Sequence, residues 1–191
     1  MGPVAVGSKR PVRTLRMPVA LVGMMGSGKT SVGTAVAAAL GVPFHDTDDA
    51  IVAASRMTIA EIFARDGEPF FRARESEVLR RLLAAGPGIV STGGGVFLSP
   101  MNRESIAAAG IAVWLRAQPS LLWQRVKGRG TRPLLMTEDP RGTLERLVRE
   151  RTPAYAQAAL VVDAEPSLAV PAMADRVIAA LVGAGAFGPD R

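Results

Sequence analysis

Pro18-Val19-Ala20-Leu21-Val22-Gly23-Met24-Met25-Gly26-Ser27-Gly28-Lys29-Thr30 is the stretch that decides the fold. Its first five residues are an apolar run ending in glycine, the pattern of a strand buried on both faces. From Thr30 to Leu40 small and apolar residues recur at helical spacing and stop at Gly41, a helix C-cap. Between strand and helix stands Gly-x-x-x-x-Gly-Lys-Thr, the P-loop in the setting it requires. Its glycines let backbone N–H groups turn inward around phosphate oxygens, and the helix N-terminus adds partial positive charge. Gly26, Ser27, Gly28, Lys29, Thr30 and Ser31 are therefore expected to hold ATP, with Lys29 on the β- and γ-phosphates and the Thr30 hydroxyl on Mg2+.

Outward from this stretch, strands and helices alternate. Further strands are expected at 42–46, 89–92, 111–115 and 160–163. Helices are expected at 49–54, from Thr58 (a capping box with Glu61), and at 72–85, 100–109, 119–127, 142–155 and 170–182. Such alternation predicts an α/β fold with a parallel sheet covered on both faces, its ligands at the carboxyl ends of the strands. Residues 18–183 read as one domain, between a basic flexible tail at 1–17 and a short tail at 184–191. The Arg- and Gly-rich stretch 128–137 reads as a lid.

Composition narrows the function classes. There is no cysteine, which excludes thiolate metal sites and disulfide scaffolds and fits a cytoplasmic protein. The only histidine, His45, excludes a multi-histidine zinc site and reads as packed or solvated. No apolar run approaches the ~20 residues that span a bilayer, so no membrane association is expected. The formal net charge is +6, but Lys9, Arg10, Arg13 and Arg16 in the tail supply four of those charges. The basic balance therefore argues for no nucleic-acid partner.

A P-loop alone leaves kinases, GTPases, motor ATPases and transport ATPases open. The chain has no Asn-Lys-x-Asp guanine motif, its only asparagine being Asn102. The third strand runs into Thr92-Gly93-Gly94-Gly95 where an acidic Walker B residue would stand. The magnesium carboxylate must come from elsewhere, and Asp46 and Asp48 at the end of the second strand are the candidates. On spacing alone, Asp46-Thr47-Asp48 reads equally as a pair of catalytic carboxylates or as a helix cap. Arg72 and Arg151 taken alone read as members of solvated ion-pair networks.

Gly23–Thr30, Phe44-His45-Asp46-Thr47-Asp48, Ile62-Phe63-x-x-x-Gly67-Glu68-x-x-Phe71-Arg72-x-x-Glu75, Ser91-x-Gly93-Gly94-Gly95, Arg132-Pro133-Leu134-Leu135 and Arg151-x-x-x-Tyr155 together resemble the shikimate kinase family, in family order from about 18 to 182. The resemblance implies a nucleoside-monophosphate-kinase-like, three-layer α/β/α fold with a five-stranded parallel sheet in the order 2-3-1-4-5. It implies phosphoryl transfer from MgATP to the 3-hydroxyl of shikimate by a monomer. Asp48, Arg72, Gly93, Gly94, Gly95 and Arg151 would bind shikimate, within a substrate-binding region of about 47–75. Asp48 would be the base, and Asp46 would reach Mg2+ through water. Arg125 would lie against the adenine, and Arg132 would close over ATP. The alternatives are a related small-molecule kinase such as gluconate kinase, or an inactive nucleotide-binding protein.

Overall fold

The structure, a computed structural model, describes residues 14–128 and 133–188. Val19–Val22 forms β1, and all four of its residues are buried. Val19 and Leu21 face one core, Ala20 and Val22 the other, as the two-residue period of a strand dictates. The first core is closed by α1 (Lys29–Leu40) and α7 (Val170–Gly183), through Val32, Val36, Val177 and Leu181. The second is closed by α3 (Ile59–Ala84), α4 (Pro100–Ala109), α5 (Pro119–Val126) and α6 (Pro140–Tyr155), through Leu79, Ile106, Leu122 and Leu144. Trp114 is buried and Trp123 half-buried in this second core.

The remaining strands are β2 (Phe44–Asp46), β3 (Ile89–Ser91), β4 (Ile111–Ala117) and β5 (Leu160–Ala164). They pair in parallel with β1 in the order β2-β3-β1-β4-β5, as the family resemblance implied. The carboxyl ends of β1, β2 and β3 lie side by side, with Asp46 opposite Ser91 and Leu21 opposite Ser91 on the other flank. This brings the P-loop, the Asp46–Asp48 segment and the triple glycine to one sheet edge.

Three local differences from the sequence expectation have physical causes. Asp46 ends β2 and caps α2 (Thr47–Ser55) directly, its Oδ1 accepting from the Asp48 N–H at 3.0 Å. Helix α3 runs through the gap expected between two helices, broken only by Gly67 at φ 79°, ψ 171°. Pro69 follows that break, where a missing N–H costs no helical hydrogen bond. Finally, Leu15 is buried and bridges antiparallel to Phe187, with the Arg16 N–H donating to the Ala186 carbonyl at 3.0 Å. The packed body thus extends on both sides beyond the edges expected at 18 and 183. The capping box at Thr58 and Glu61 forms as expected. Among the described residues, no helix is long and apolar enough to cross a membrane.

Candidate active site

The loop between β1 and α1 takes positive φ at Gly23, Gly26 and Gly28 (140°, 80° and 97°), the region open to glycine. Helix α1 has no side-chain cap and no acidic residue in its first turn. Its leading N–H groups are left for a phosphate rather than satisfied internally. Lys29 is buried, and its Nζ donates to the carbonyls of Gly23 at 2.8 Å and Met24 at 3.0 Å, so the amine curls back over the loop. Arg125, from α5, donates through Nη1 to the carbonyls of Gly26 (3.2 Å) and Ser27 (3.3 Å). The buried Ser27 hydroxyl has no hydrogen-bond partner.

The Thr30 hydroxyl donates to Asp46 Oδ2 at 3.1 Å and lies 3.4 Å from the Ser91 hydroxyl. A threonine hydroxyl and a carboxylate oxygen joined at the mouth of a phosphate loop are hard oxygen donors suited to Mg2+. Among the described residues no three His, Asp or Glu side chains form a metal cage. An ion here would draw its other ligands from water and the nucleotide, which is how magnesium sits with ATP.

Facing the P-loop, three side chains fix the glycine segment after β3. The Thr47 hydroxyl, fully buried between the two aspartates in sequence, accepts from the Gly93 N–H at 2.9 Å. The Tyr155 hydroxyl donates to the Gly94 carbonyl at 2.6 Å. Asn102 Nδ2 donates to the Val96 carbonyl at 3.0 Å, one residue beyond the glycines. Close packing explains why two of these positions are glycine. A Cβ at Gly93 would stand 2.8 Å from Asp48 Oδ1 and 3.0 Å from Glu75 Oε1, and one at Gly95 would collide with the Arg72 guanidinium. Arg151, on α6, brings Nη1 to 3.7 Å from where a Gly94 Cβ would be.

Asp48, Glu75 and Arg72 form one electrostatic group. Arg72 Nη1 donates to Glu75 Oε2 at 2.9 Å, and its Nη2 to Glu68 Oε1 at 3.1 Å. Burial raises the Asp48 carboxyl above its ordinary range, and the neighbouring Asp46 adds to this against the pull of Lys29. Burial likewise raises Glu75, with Arg72 opposing. Buried acids with raised ionisation beside a partly exposed guanidinium mark this group as a functional-site candidate rather than a solvated ion-pair network.

Met25 to Val32, Asp46, Asp48, Ser91 to Gly94 and Arg125 line one cleft of about 470 Å3. Arg72, Gly95 and Arg151 adjoin it through the contacts above. All the site residues expected from the sequence are thus brought together except Arg132, which lies outside the described residues. Leu168, Val170 and Met173 add apolar side chains to the lining of the same cleft. At and just after the end of β5, Asp163 pairs with Arg116, and Glu165 with Arg176.

Sequence reasoning gave no role to Thr47 as an anchor, to Glu75 as the partner of Arg72, or to Tyr155. Glu75 carried a readable signal. It falls four residues after Phe71 and three before Val78, an acid on the buried stripe of its helix.

These features meet the comparisons with known proteins. A family model described as shikimate kinase matches residues 25–182. The shikimate kinase of Ruegeria pomeroyi is 53% identical over 167 residues, covering 87% of this chain and 86% of that protein. The shikimate kinase of Cereibacter sphaeroides is 55% identical over 149 residues, covering 78% and 75%. A solved structure of shikimate kinase from Acinetobacter baumannii in complex with shikimate superposes with a TM-score of 0.84 at 34% identity, covering 88% of this chain and 94% of that one. With a P-loop facing a clamped glycine segment flanked by two arginines, and with these matches over most of its length, the chain belongs to the shikimate kinase family.

Proposed function

We propose that the chain transfers the γ-phosphate of MgATP to the 3-hydroxyl of shikimate, giving shikimate 3-phosphate and ADP for aromatic amino-acid synthesis. The observation that carries this reading is the convergence of Asp48, Arg72, Arg151 and the triple glycine on the P-loop at the uncapped start of α1. ATP would lie with its base against Leu168, Val170, Met173 and Arg125, and its phosphates in the loop Gly26–Ser31. Thr30 and, through water, Asp46 would hold Mg2+, which when bound neutralises phosphate charge and orients the γ-phosphoryl group.

Arg72 and Arg151 approach the glycine segment at adjacent residues, so that two guanidinium forks can receive one carboxylate. The glycines let the ring lie against backbone. Asp48 then accepts the hydrogen bond of the ring hydroxyl nearest the P-loop and takes its proton. The hydroxyl oxygen bonds to the γ-phosphorus as the bond to the β-phosphate oxygen breaks. Lys29 leaves the carbonyls of Gly23 and Met24 to meet the charge on the moving group. We assign Arg132 to the same charge, brought in by the segment 128–137.

The test is an acceptor panel with coupled ADP detection. Shikimate should give the highest kcat/KM, and gluconate or another sugar acid outperforming it would overturn the reading. Within that assay, Arg72→Ala should raise the shikimate KM by roughly 30- to 100-fold, the scale of a lost bidentate charged hydrogen bond, with the ATP KM little changed. An unchanged shikimate KM would remove Arg72 from the site.

A further inference from the structure

Tyr155 is fully buried at the end of α6, and its hydroxyl stands where three parts of the site meet. It donates to the Gly94 carbonyl at 2.6 Å, and the Met24 sulfur of the P-loop is 3.8 Å away. Arg151 lies one turn earlier on the same helix, close enough to oppose the rise that burial gives the phenol. The ring is fixed by stacking on Trp114 of β4, with centroids 5.9 Å apart at 28°. A core of this kind could be filled by phenylalanine; the hydroxyl is the part that packing does not require.

We infer that Tyr155 is a positioning residue for the acceptor: its hydroxyl fixes the Gly94 carbonyl and so sets the distance between the glycine platform, the Arg151 guanidinium and the P-loop. The inference rests on the acceptor reading above. Gly94 has no side chain with which to hold its own peptide in place, and Thr47 fixes only the preceding N–H. Without the phenol, the Gly94 peptide is free to rotate. The ring of the acceptor then loses its fixed height above the P-loop. Burial keeps the phenol protonated, and so a donor, throughout the neutral range.

The experiment compares Y155F with W114F, which disturbs the same packing without touching the hydroxyl. Tm and both KM values are measured for each. Y155F should raise the shikimate KM by about 10-fold, the scale of a lost buried hydrogen bond, with the ATP KM within about threefold of wild type. W114F should lower Tm with a smaller effect on the shikimate KM. A Y155F enzyme with unchanged shikimate KM overturns the inference. So does a W114F effect on that KM as large as that of Y155F, which assigns the residue to packing, or a Y155F protein that no longer folds, which assigns the hydroxyl to fold stability rather than to the acceptor. Wild-type enzyme that does not turn over shikimate overturns the acceptor reading itself, a result distinct from any of these.

Discussion

Asp48→Asn should lower turnover at least ~100-fold, the scale of a lost general base, while the folded protein becomes no less stable. Asparagine keeps the shape of the side chain and can still lie beside Gly93, but it cannot take a proton. The backbone N–H of residue 48, which caps α2 through Asp46, is untouched. The stability half of the prediction follows from the direction of the shift. Burial raises the Asp48 carboxyl, so its contribution to stability is fully present below the ordinary carboxylate value of ~4 and is lost as pH rises through the raised folded value. At pH 7 the wild-type protein therefore bears the cost of a half-buried charge that the variant lacks. The Tm of Asp48→Asn should equal or exceed that of wild type at pH 7, and the difference should shrink towards pH 4. Near-normal kcat in the folded variant would exclude Asp48 as base. A Tm deficit at pH 7 would contradict the electrostatic account of its surroundings.

Lys29→Ala should cost at least ~100-fold in turnover, with the fold retained. The Nζ is held by two carbonyls of its own loop, so the amine is already placed within a side-chain rotation of the phosphate cradle. No other lysine or arginine of the described residues donates into that part of the loop except Arg125, which is committed to the Gly26 and Ser27 carbonyls. Loss of Lys29 therefore removes the one ammonium of the loop, and Mg2+ and Arg132 would be left to balance the β- and γ-phosphate charge with the backbone N–H groups. Circular dichroism should be unchanged, since alanine suits the first turn of α1 better than lysine. Turnover within tenfold of wild type would remove Lys29 from the charge-bearing role. Arginine should not rescue the variant, because a planar fork does not replace a point charge in a cradle shaped by glycine backbone.

Local signals carried most of the fold. The buried strand, the glycine loop and the Gly41 stop located β1 and α1, and Thr58 with Glu61 located the start of α3. The break in that helix was harder to read. The sequence leaves a gap between two expected helices around Gly67 and Pro69, yet Gly67 is the one residue of non-helical backbone between the two segments. In the site, the two readings of Asp46-Thr47-Asp48 were both incomplete. Asp46 is at once the helix cap and the partner of Thr30, while Thr47 turns inward to Gly93 and leaves Asp48 facing the cleft.

Long-range partners account for what was not legible. Arg72 reads as a surface ion-pair residue because its helix is charged throughout; only the fold shows that Glu75 beneath it is buried and that Gly95 packs on its guanidinium. The hydrogen bond between Tyr155 and Gly94 joins residues 61 positions apart, beyond any periodicity. Leu168 and Val170, just before and at the start of α7, reach the P-loop cleft because α7 packs beside α1 on the same core, a long-range placement with no local signal.

The central claim is that a hydroxyl of shikimate, held by Asp48, receives the γ-phosphate. The most direct measurement is proton-coupled phosphorus NMR of the product formed by the wild-type enzyme from MgATP and shikimate. The account predicts one new phosphomonoester signal coupled to the ring proton at carbon 3, appearing in step with ADP. ADP accumulating with inorganic phosphate alone, or a phosphate on another hydroxyl, would contradict it.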